Sequence, residues 1–144
     1  MIWPSRYEDR LSEWLRLREH NHSNDLETAL LAVNDWWQQA PWTPYYLHWD
    51  DMDRWPDPWE LLADNHFCSI AKSLGIIYTI HMIARPDVTA VQMAVNRDSA
   101  DNLVLVNQGK YILNWTQGQL VNITSPEINI VRAVDSSVIT KKIN

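Results

Sequence analysis

The residues best suited to chemistry in this chain are gathered in one stretch, WDDMDRWPDPWELLADNHFCSIAKSLGIIYTI, which spans residues 49–80. It contains the single cysteine of the chain, Cys68, with His66 two residues before it and four aspartates (Asp50, Asp51, Asp53 and Asp57) leading into the helix predicted to carry it. A thiol close to an imidazole can act as a nucleophile, and closely spaced carboxylates can hold a hard cation. The same residues could also belong to a capped core helix, so three interpretations compete.

A catalytic role for Cys68 requires the thiol to be partly ionised, usually by a helix N-terminus or a neighbouring imidazolium. Asp57, followed three residues later by Glu60, forms a capping-box pattern that predicts the start of a helix. If that helix continues to Gly75, Cys68 lies about three turns inside it, where the helix dipole has faded. The sequence therefore predicts a buried structural cysteine. The alternative pairs Cys68 with His81, because a helix and the strand after it commonly pack together.

The aspartates Asp50, Asp51 and Asp53 are the candidate metal ligands. A calcium loop of the EF type needs glycine at its sixth position and glutamate at its twelfth. Counted from Asp51, those positions hold Pro56 and Leu62, so the pattern fails and we predict no metal site. Only three glycines are present, which is too few for a phosphate-binding loop, and we predict no cofactor.

The composition and charge of the chain limit the kinds of partner that we expect it to have. The chain has 144 residues and a net charge of −6, and residues 1–72 hold 13 of the 18 acidic side chains. That acidic half would repel nucleic-acid phosphates, so we expect no nucleic-acid partner. No apolar run approaches the roughly 20 residues that cross a bilayer, and the first residues lack the order of a signal peptide. We therefore expect no membrane partner and synthesis in the cytoplasm.

The periodicity of apolar residues changes near residue 75 and predicts an α+β fold, with about three N-terminal helices followed by an antiparallel sheet of four to six strands. The starts of the helices are predicted from Ser5 with Glu8, Asn24 with Glu27, and Asp57. The first strand is expected in IIYTIHMIA, and Asn114 is expected on the opposite face of its strand from Trp115. We expect a single domain over residues 1–134, with a helical half over about 5–75, a β-meander over about 76–134 and a polar tail over 135–144.

Aromatic residues predict a contact surface. Eight of the nine tryptophans precede residue 60, and tryptophan is enriched where proteins meet partners. The proline-rich connector after the second helix is flanked by Trp42, Tyr45, Tyr46 and Trp49, which we predict to bind another protein subunit.

The segment FCSIAKSLGIIYTI resembles the nucleophile helix of transglutaminase-like cysteine enzymes, and the likeness extends from Phe67 to Trp115. In that family a cysteine opens a helix that packs on an antiparallel sheet, and a histidine and an aspartate follow on successive strands. The resemblance implies a cysteine hydrolase built on Cys68. At the family's histidine and aspartate positions, however, this chain carries Asn102 and Asn114, and neither amide can accept the thiol proton.

Residues 46–80 also resemble a segment of small proteins from large tailed bacteriophages that infect cyanobacteria. That resemblance implies a phage virion component of the neck, tail or baseplate. The leading hypothesis is therefore a non-enzymatic phage structural or assembly protein that docks through its tryptophan-rich surface and free strand edges. The alternatives are a transglutaminase-like cysteine hydrolase that uses Cys68 and His81, and a host-directed adaptor or inhibitor.

Overall fold

The computed structural model describes residues 2–98 and 101–143 and confirms the α+β class. The helices that precede the sheet are α1 (Tyr7–His20), α2 (Leu26–Gln38), α3 (Pro58–Asp64) and α4 (Ser69–Ile83), and a short 3-10 helix covers Trp49–Arg54. Within the described residues, no helix is long and apolar enough to cross a membrane.

The strands follow the helices and form one antiparallel sheet in the described part of the chain. They are β1 (Val91–Asn96), β2 (Asn102–Val106), β3 (Tyr111–Thr116), β4 (Gln119–Val121) and β5 (Ile130–Asp135). Their order across the sheet is β4-β3-β2-β1-β5. Because β2 lies at the centre of this order, residues at its start are flanked by strands on both sides and covered by a helix.

The core lies between this sheet and helix α4, which packs against α2, β2 and β3. Most of α4 is buried, and two buried indoles reach its middle: the Nε1–H groups of Trp14 and Trp37 both donate to Oγ1 of Thr79, each over 2.9 Å. Helix α4 therefore lies at the centre of the fold, and α1, α2 and the sheet all pack against it.

Two sequence predictions for this region were wrong. The segment IIYTIHMIA is not a strand, since residues 76–83 form the second half of α4. Gly75 does not end a helix but lies in its middle, where a Cβ atom would come within 2.4 Å of the Trp37 ring. A helix buried on nearly all sides has no polar face, so its apolar run does not show the helical period and reads like a strand.

The capping predictions were correct for α3 alone. Asp57 and Glu60 form a reciprocal capping box, as the sequence predicted. Helix α2 is capped by Asp25, whose carboxylate accepts from the Thr28 N–H, and not by Asn24. Helix α1 begins after Arg6 with no side-chain cap.

The residues after Asp135, expected to form a polar tail, adopt helical structure. Helix α5 (Ser137–Thr140) and a 3-10 turn at Lys141–Ile143 follow β5 directly. Ile139 is buried in the main core, and Lys142 Nζ donates to the carbonyl of Asp53 over 2.9 Å. This segment therefore packs against the helical half of the chain.

Candidate active site

Cys68 lies at the N-terminus of helix α4 and not within a longer helix, so its predicted position was wrong. Helix α3 ends at Asp64, and Asn65 then adopts a left-handed conformation with φ of 58°. Asparagine tolerates this conformation better than most residues. The chain turns through Asn65 and restarts as α4, with Cys68 in extended backbone as its N-cap.

The Cys68 side chain is only 5% exposed, and the connector before the 3-10 helix forms one wall around it. Thr43 N–H donates to the carbonyl of Phe67 over 3.0 Å, which places the connector parallel to residues 66–68. Leu47 N–H points at the sulfur, with an N···Sγ distance of 3.4 Å. Together with the free N–H groups of the first turn of α4, this donor creates an environment that accommodates negative charge on the sulfur.

Asn102 and Asn114, which stand where the resemblance implies a histidine and an aspartate, lie beside the first turn of α4. Asn102 opens β2, and its N–H donates to Ser69 Oγ over 2.8 Å. Asn114, in β3, donates its side-chain amide to the carbonyl of Asn102 over 2.9 Å. The structure therefore brings Cys68, Asn102 and Asn114 together around one helix end, from α4, β2 and β3.

The side chain of Asn114 joins three elements of the fold by hydrogen bonds. Its Nδ2 group also donates to the carbonyl of Ser69 over 3.1 Å and to Ser73 Oγ over 3.0 Å. Its Oδ1 atom accepts a hydrogen bond from the side-chain amide of Gln38. Both halves of the Asn114 amide are thus used to hold α2, α4 and β2 together, and neither half contacts the side chain of Asn102.

Asn114 lies on the opposite face of its strand from Trp115, as the sequence predicted. It has a left-handed backbone with φ of 67°, and the pairing of β3 with β4 shifts register between Ile112 and Thr116. This irregularity interrupts the alternation of side chains, so Asn114 faces α4 next to Leu113, while Trp115 packs on the opposite face of the sheet. Strict alternation would place Leu113 and Asn114 on opposite faces, so the sequence pattern does not predict that these two neighbours share one.

The side chain of Asn102 is held by a tryptophan. Trp49 Nε1–H donates to Asn102 Oδ1 over 2.6 Å. The other side of the Trp49 ring is covered by the Arg132 guanidinium, whose central carbon lies 4.3 Å from the ring centroid. The residue at the histidine position therefore accepts a hydrogen bond from the indole and is fixed in place by it.

Cys68 and Asn102 line an open cavity of about 380 Å³ between the connector and the start of β2, which we call the Cys68 cleft. Its rim is aromatic: Trp42 is 59% exposed, Tyr45 is 83% exposed, and Trp49 forms an inner wall. Three of the four aromatic residues predicted to bind a partner thus lie around this cleft. The fourth, Tyr46, donates its hydroxyl to Asp64 over 2.8 Å and does not line the cleft. Partner binding by these four rings stays a prediction.

The predicted pairing of Cys68 with His81 was wrong. His81 lies on the last turn of α4, thirteen residues beyond Cys68, which corresponds to roughly 20 Å along the helix axis. It lines a different cavity, at the other end of the helix. His66 is turned toward Thr43 and Tyr46. Of the five histidines, all within the described residues, only His48 lines the Cys68 cleft.

Asp50, Asp51 and Asp53, the candidate metal ligands, are exposed on the 3-10 helix at Trp49–Arg54. Across residues 2–98 and 101–143, no group of three or more histidine, cysteine, aspartate or glutamate side chains is arranged to hold a metal ion.

Comparisons with known proteins identify the fold. No family model matches the chain, and no curated protein matches it. Among solved structures, LapG of Legionella pneumophila matches with a TM-score of 0.73 at 13% identity, covering 99% of this chain and 86% of that one. A calcium-bound structure of the same protein matches with a TM-score of 0.72 at 14% identity, covering 92% and 77%.

These likenesses show that this chain shares the α+β fold of LapG. The prediction of a phage virion protein was wrong, because the solved structures that match this chain are those of a bacterial protein. The stretch that suggested a phage protein encodes the α3 capping box and the start of α4, which are elements of this fold.

Proposed function

We propose that this chain binds a polypeptide segment in the Cys68 cleft and does not hydrolyse it. The observation that carries the proposal is the side chain of Asn102, which stands where a transglutaminase-like enzyme has its histidine and is held by Trp49. An amide cannot take the thiol proton at neutral pH, so the step that would activate Cys68 lacks its base.

Although the base is missing, Cys68 keeps the environment that a catalytic cysteine needs. The cleft around it is therefore the functional site in this proposal. Cys68 caps the helix α4 and receives the Leu47 N–H. Such a location suits the nucleophile of an acyl-transfer reaction, and it equally suits a ligand carbonyl group placed next to the sulfur. Loss of the base with retention of the pocket favours binding without turnover.

A polypeptide fits the cleft better than a compact small molecule. One wall is the connector, which turns at Pro44 and Tyr45, and the rim carries the exposed rings of Trp42 and Tyr45. Exposed aromatic rings beside a groove are typical anchors for peptide side chains.

The proposal is tested by giving the cleft a base. Asn102→His should raise the rate at which iodoacetamide alkylates Cys68 at neutral pH by about tenfold or more, the scale of a positioned base. Asn102→Gln is the matched control, because it changes the side chain without adding a base and should leave the rate low. Wild-type protein should digest a fluorescent casein no faster than Cys68→Ala. Cys68-dependent digestion by the wild type would overturn the non-hydrolytic assignment.

Binding is tested by selecting peptides from a displayed random library on immobilised wild-type protein. Enriched peptides should lose most of their affinity for Trp42→Ala, and also for protein carboxymethylated at Cys68. Peptides that bind all three forms equally would place polypeptide binding elsewhere on the surface and contradict the proposal.

One observation favours a second candidate, a cysteine hydrolase with a relocated base. His48 is exposed and lines the same cleft as Cys68. In that case Cys68-dependent casein digestion would be seen in the wild type and would be lost in His48→Ala, with Asn102→Gln remaining active.

A further inference from the structure

We infer that the side-chain NH₂ group of Asn102 forms a binding site in the Cys68 cleft for a hydrogen-bond-accepting oxygen, supplied by a carboxylate or a peptide carbonyl of the ligand. This inference rests on the proposed binding function and specifies the chemistry of its ligand. It assigns Asn102 a role in ligand binding, in addition to leaving the cleft without a base.

The orientation of the Asn102 amide follows from its contact with Trp49. The indole N–H is only a donor, so the atom of Asn102 that faces it at 2.6 Å must be the oxygen. The nitrogen therefore lies at the other end of the planar amide group, directed away from the indole N–H of Trp49. The usual ambiguity between the oxygen and nitrogen of an asparagine does not arise here.

The NH₂ group has no hydrogen-bond partner among the described residues, although the rest of Asn102 is fully used. The backbone N–H donates to Ser69 Oγ, and the carbonyl accepts from Ser73 Oγ and from Asn114. The residue is only 6% exposed and lines the cleft. The NH₂ group is not sealed from solvent in the cleft, so an acceptor oxygen of a ligand would replace water as its hydrogen-bond partner.

The hydrogen-bond donors that line the cleft determine which ligand groups can supply the oxygen. Two donors belong to residues that line the cleft together with Cys68, namely the Asn102 amide and the Leu47 N–H that points at the sulfur, and both complement an oxygen acceptor. A carbonyl carbon next to Cys68 Sγ would hold its oxygen among these groups without being attacked, because the thiol is not deprotonated by a neighbour. A peptide carbonyl and a terminal carboxylate share this chemistry, and an experiment can separate them.

The test attaches each kind of oxygen to Cys68 itself. Prolonged treatment at alkaline pH with iodoacetate places a carboxylate in the cleft, and iodoacetamide places a neutral carbonyl there. Methyl methanethiosulfonate adds a methylthio group of similar size with no acceptor oxygen and is the matched control. The readout is the pair of ¹⁵N-labelled side-chain amide signals that disappears in Asn102→Asp.

The inference predicts that the Asn102 amide protons shift downfield in at least one oxygen-bearing adduct and stay near their wild-type positions in the methylthio adduct. A shift in the carboxymethyl adduct alone assigns the site to a carboxylate, and a shift with iodoacetamide assigns it to a carbonyl. Equal shifts in all three adducts, or none in any, would overturn the inference.

If Cys68 resists alkylation, the same signals are followed in unmodified protein during titration with sodium acetate and with N-methylacetamide. A saturable shift confined to the Asn102 pair supports the oxygen site, and its absence with both compounds refutes it. The outcome is independent of the peptide selection. An oxygen site without any selected peptide would retain this inference and remove polypeptide as the ligand.

Discussion

Removing the hydroxyl group of Thr79 should destabilise the protein far more than its small size suggests. Thr79 Oγ1 accepts hydrogen bonds from the indoles of Trp14 and Trp37, both over 2.9 Å, and donates to the carbonyl of Gly75 over 2.6 Å. Both tryptophans are completely buried. Thr79→Val keeps the shape of the side chain and leaves the two indole N–H groups without partners.

The magnitude follows from the number of donors that lose their acceptor. A buried donor without a partner costs about 1–3 kcal/mol, so two of them should cost about 2–6 kcal/mol. The Gly75 carbonyl adds little to this cost, because it keeps its place in the backbone hydrogen bonding of α4. Against a total stability of about 5–15 kcal/mol, the loss is large.

Thr79→Ser is the matched control. It keeps the hydroxyl and removes one buried methyl group, at a cost of about 1 kcal/mol. The assay is urea unfolding followed by circular dichroism, comparing midpoints at constant slope. Valine should unfold at clearly lower urea than serine. If the two variants have equal midpoints, or if valine is the more stable, the hydroxyl does not satisfy both indoles and the account of this core is wrong.

Three further changes test other parts of the structure. Gly75→Ala should lower the thermal unfolding midpoint, because its Cβ would lie 2.4 Å from the Trp37 ring and overpacking of this kind costs about 1–3 kcal/mol or more; an unchanged midpoint would contradict the close packing. Asn114→Asp should destabilise the fold in urea unfolding more than Asn102→Asp does, because its carboxylate would replace the amide that donates to backbone carbonyls of α4 and β2. Burial, followed by the contact with Asp64, raises the pKa of Tyr46 from 10.0 to about 12. Because the fold favours the neutral phenol, the contribution of Tyr46 to stability is complete below pH 10 and is lost as the pH rises toward 12; ultraviolet phenolate titration of wild type against Tyr46→Phe measures this, and ionisation near 10 would refute it.

The position of Cys68 was predicted wrongly because the start of helix α3 was identified correctly but its length was overestimated. The capping box at Asp57 is where the sequence placed it, since a cap depends only on residues a few positions apart. The helix it starts stops after seven residues, at Asn65. Neither proline nor glycine marks that break, and a left-handed asparagine is a weak signal in a sequence.

The sequence by itself determined the class of the fold, the order of helices before strands, the α3 cap, and the asparagines, Asn102 and Asn114, that stand where the resemblance implies a histidine and an aspartate. These follow from side-chain period, local hydrogen bonding and residue identity, all of which act over short stretches of chain. Tertiary structure alone decided that residues 76–83 are helical, because burial on nearly all sides of α4 removes the polar face that marks a helix. It also decided that Asn114 turns toward α4 through an irregular strand, and that Trp49 holds Asn102 across 53 positions. Contacts between such distant residues depend on how the elements pack, and no local pattern in the sequence encodes them.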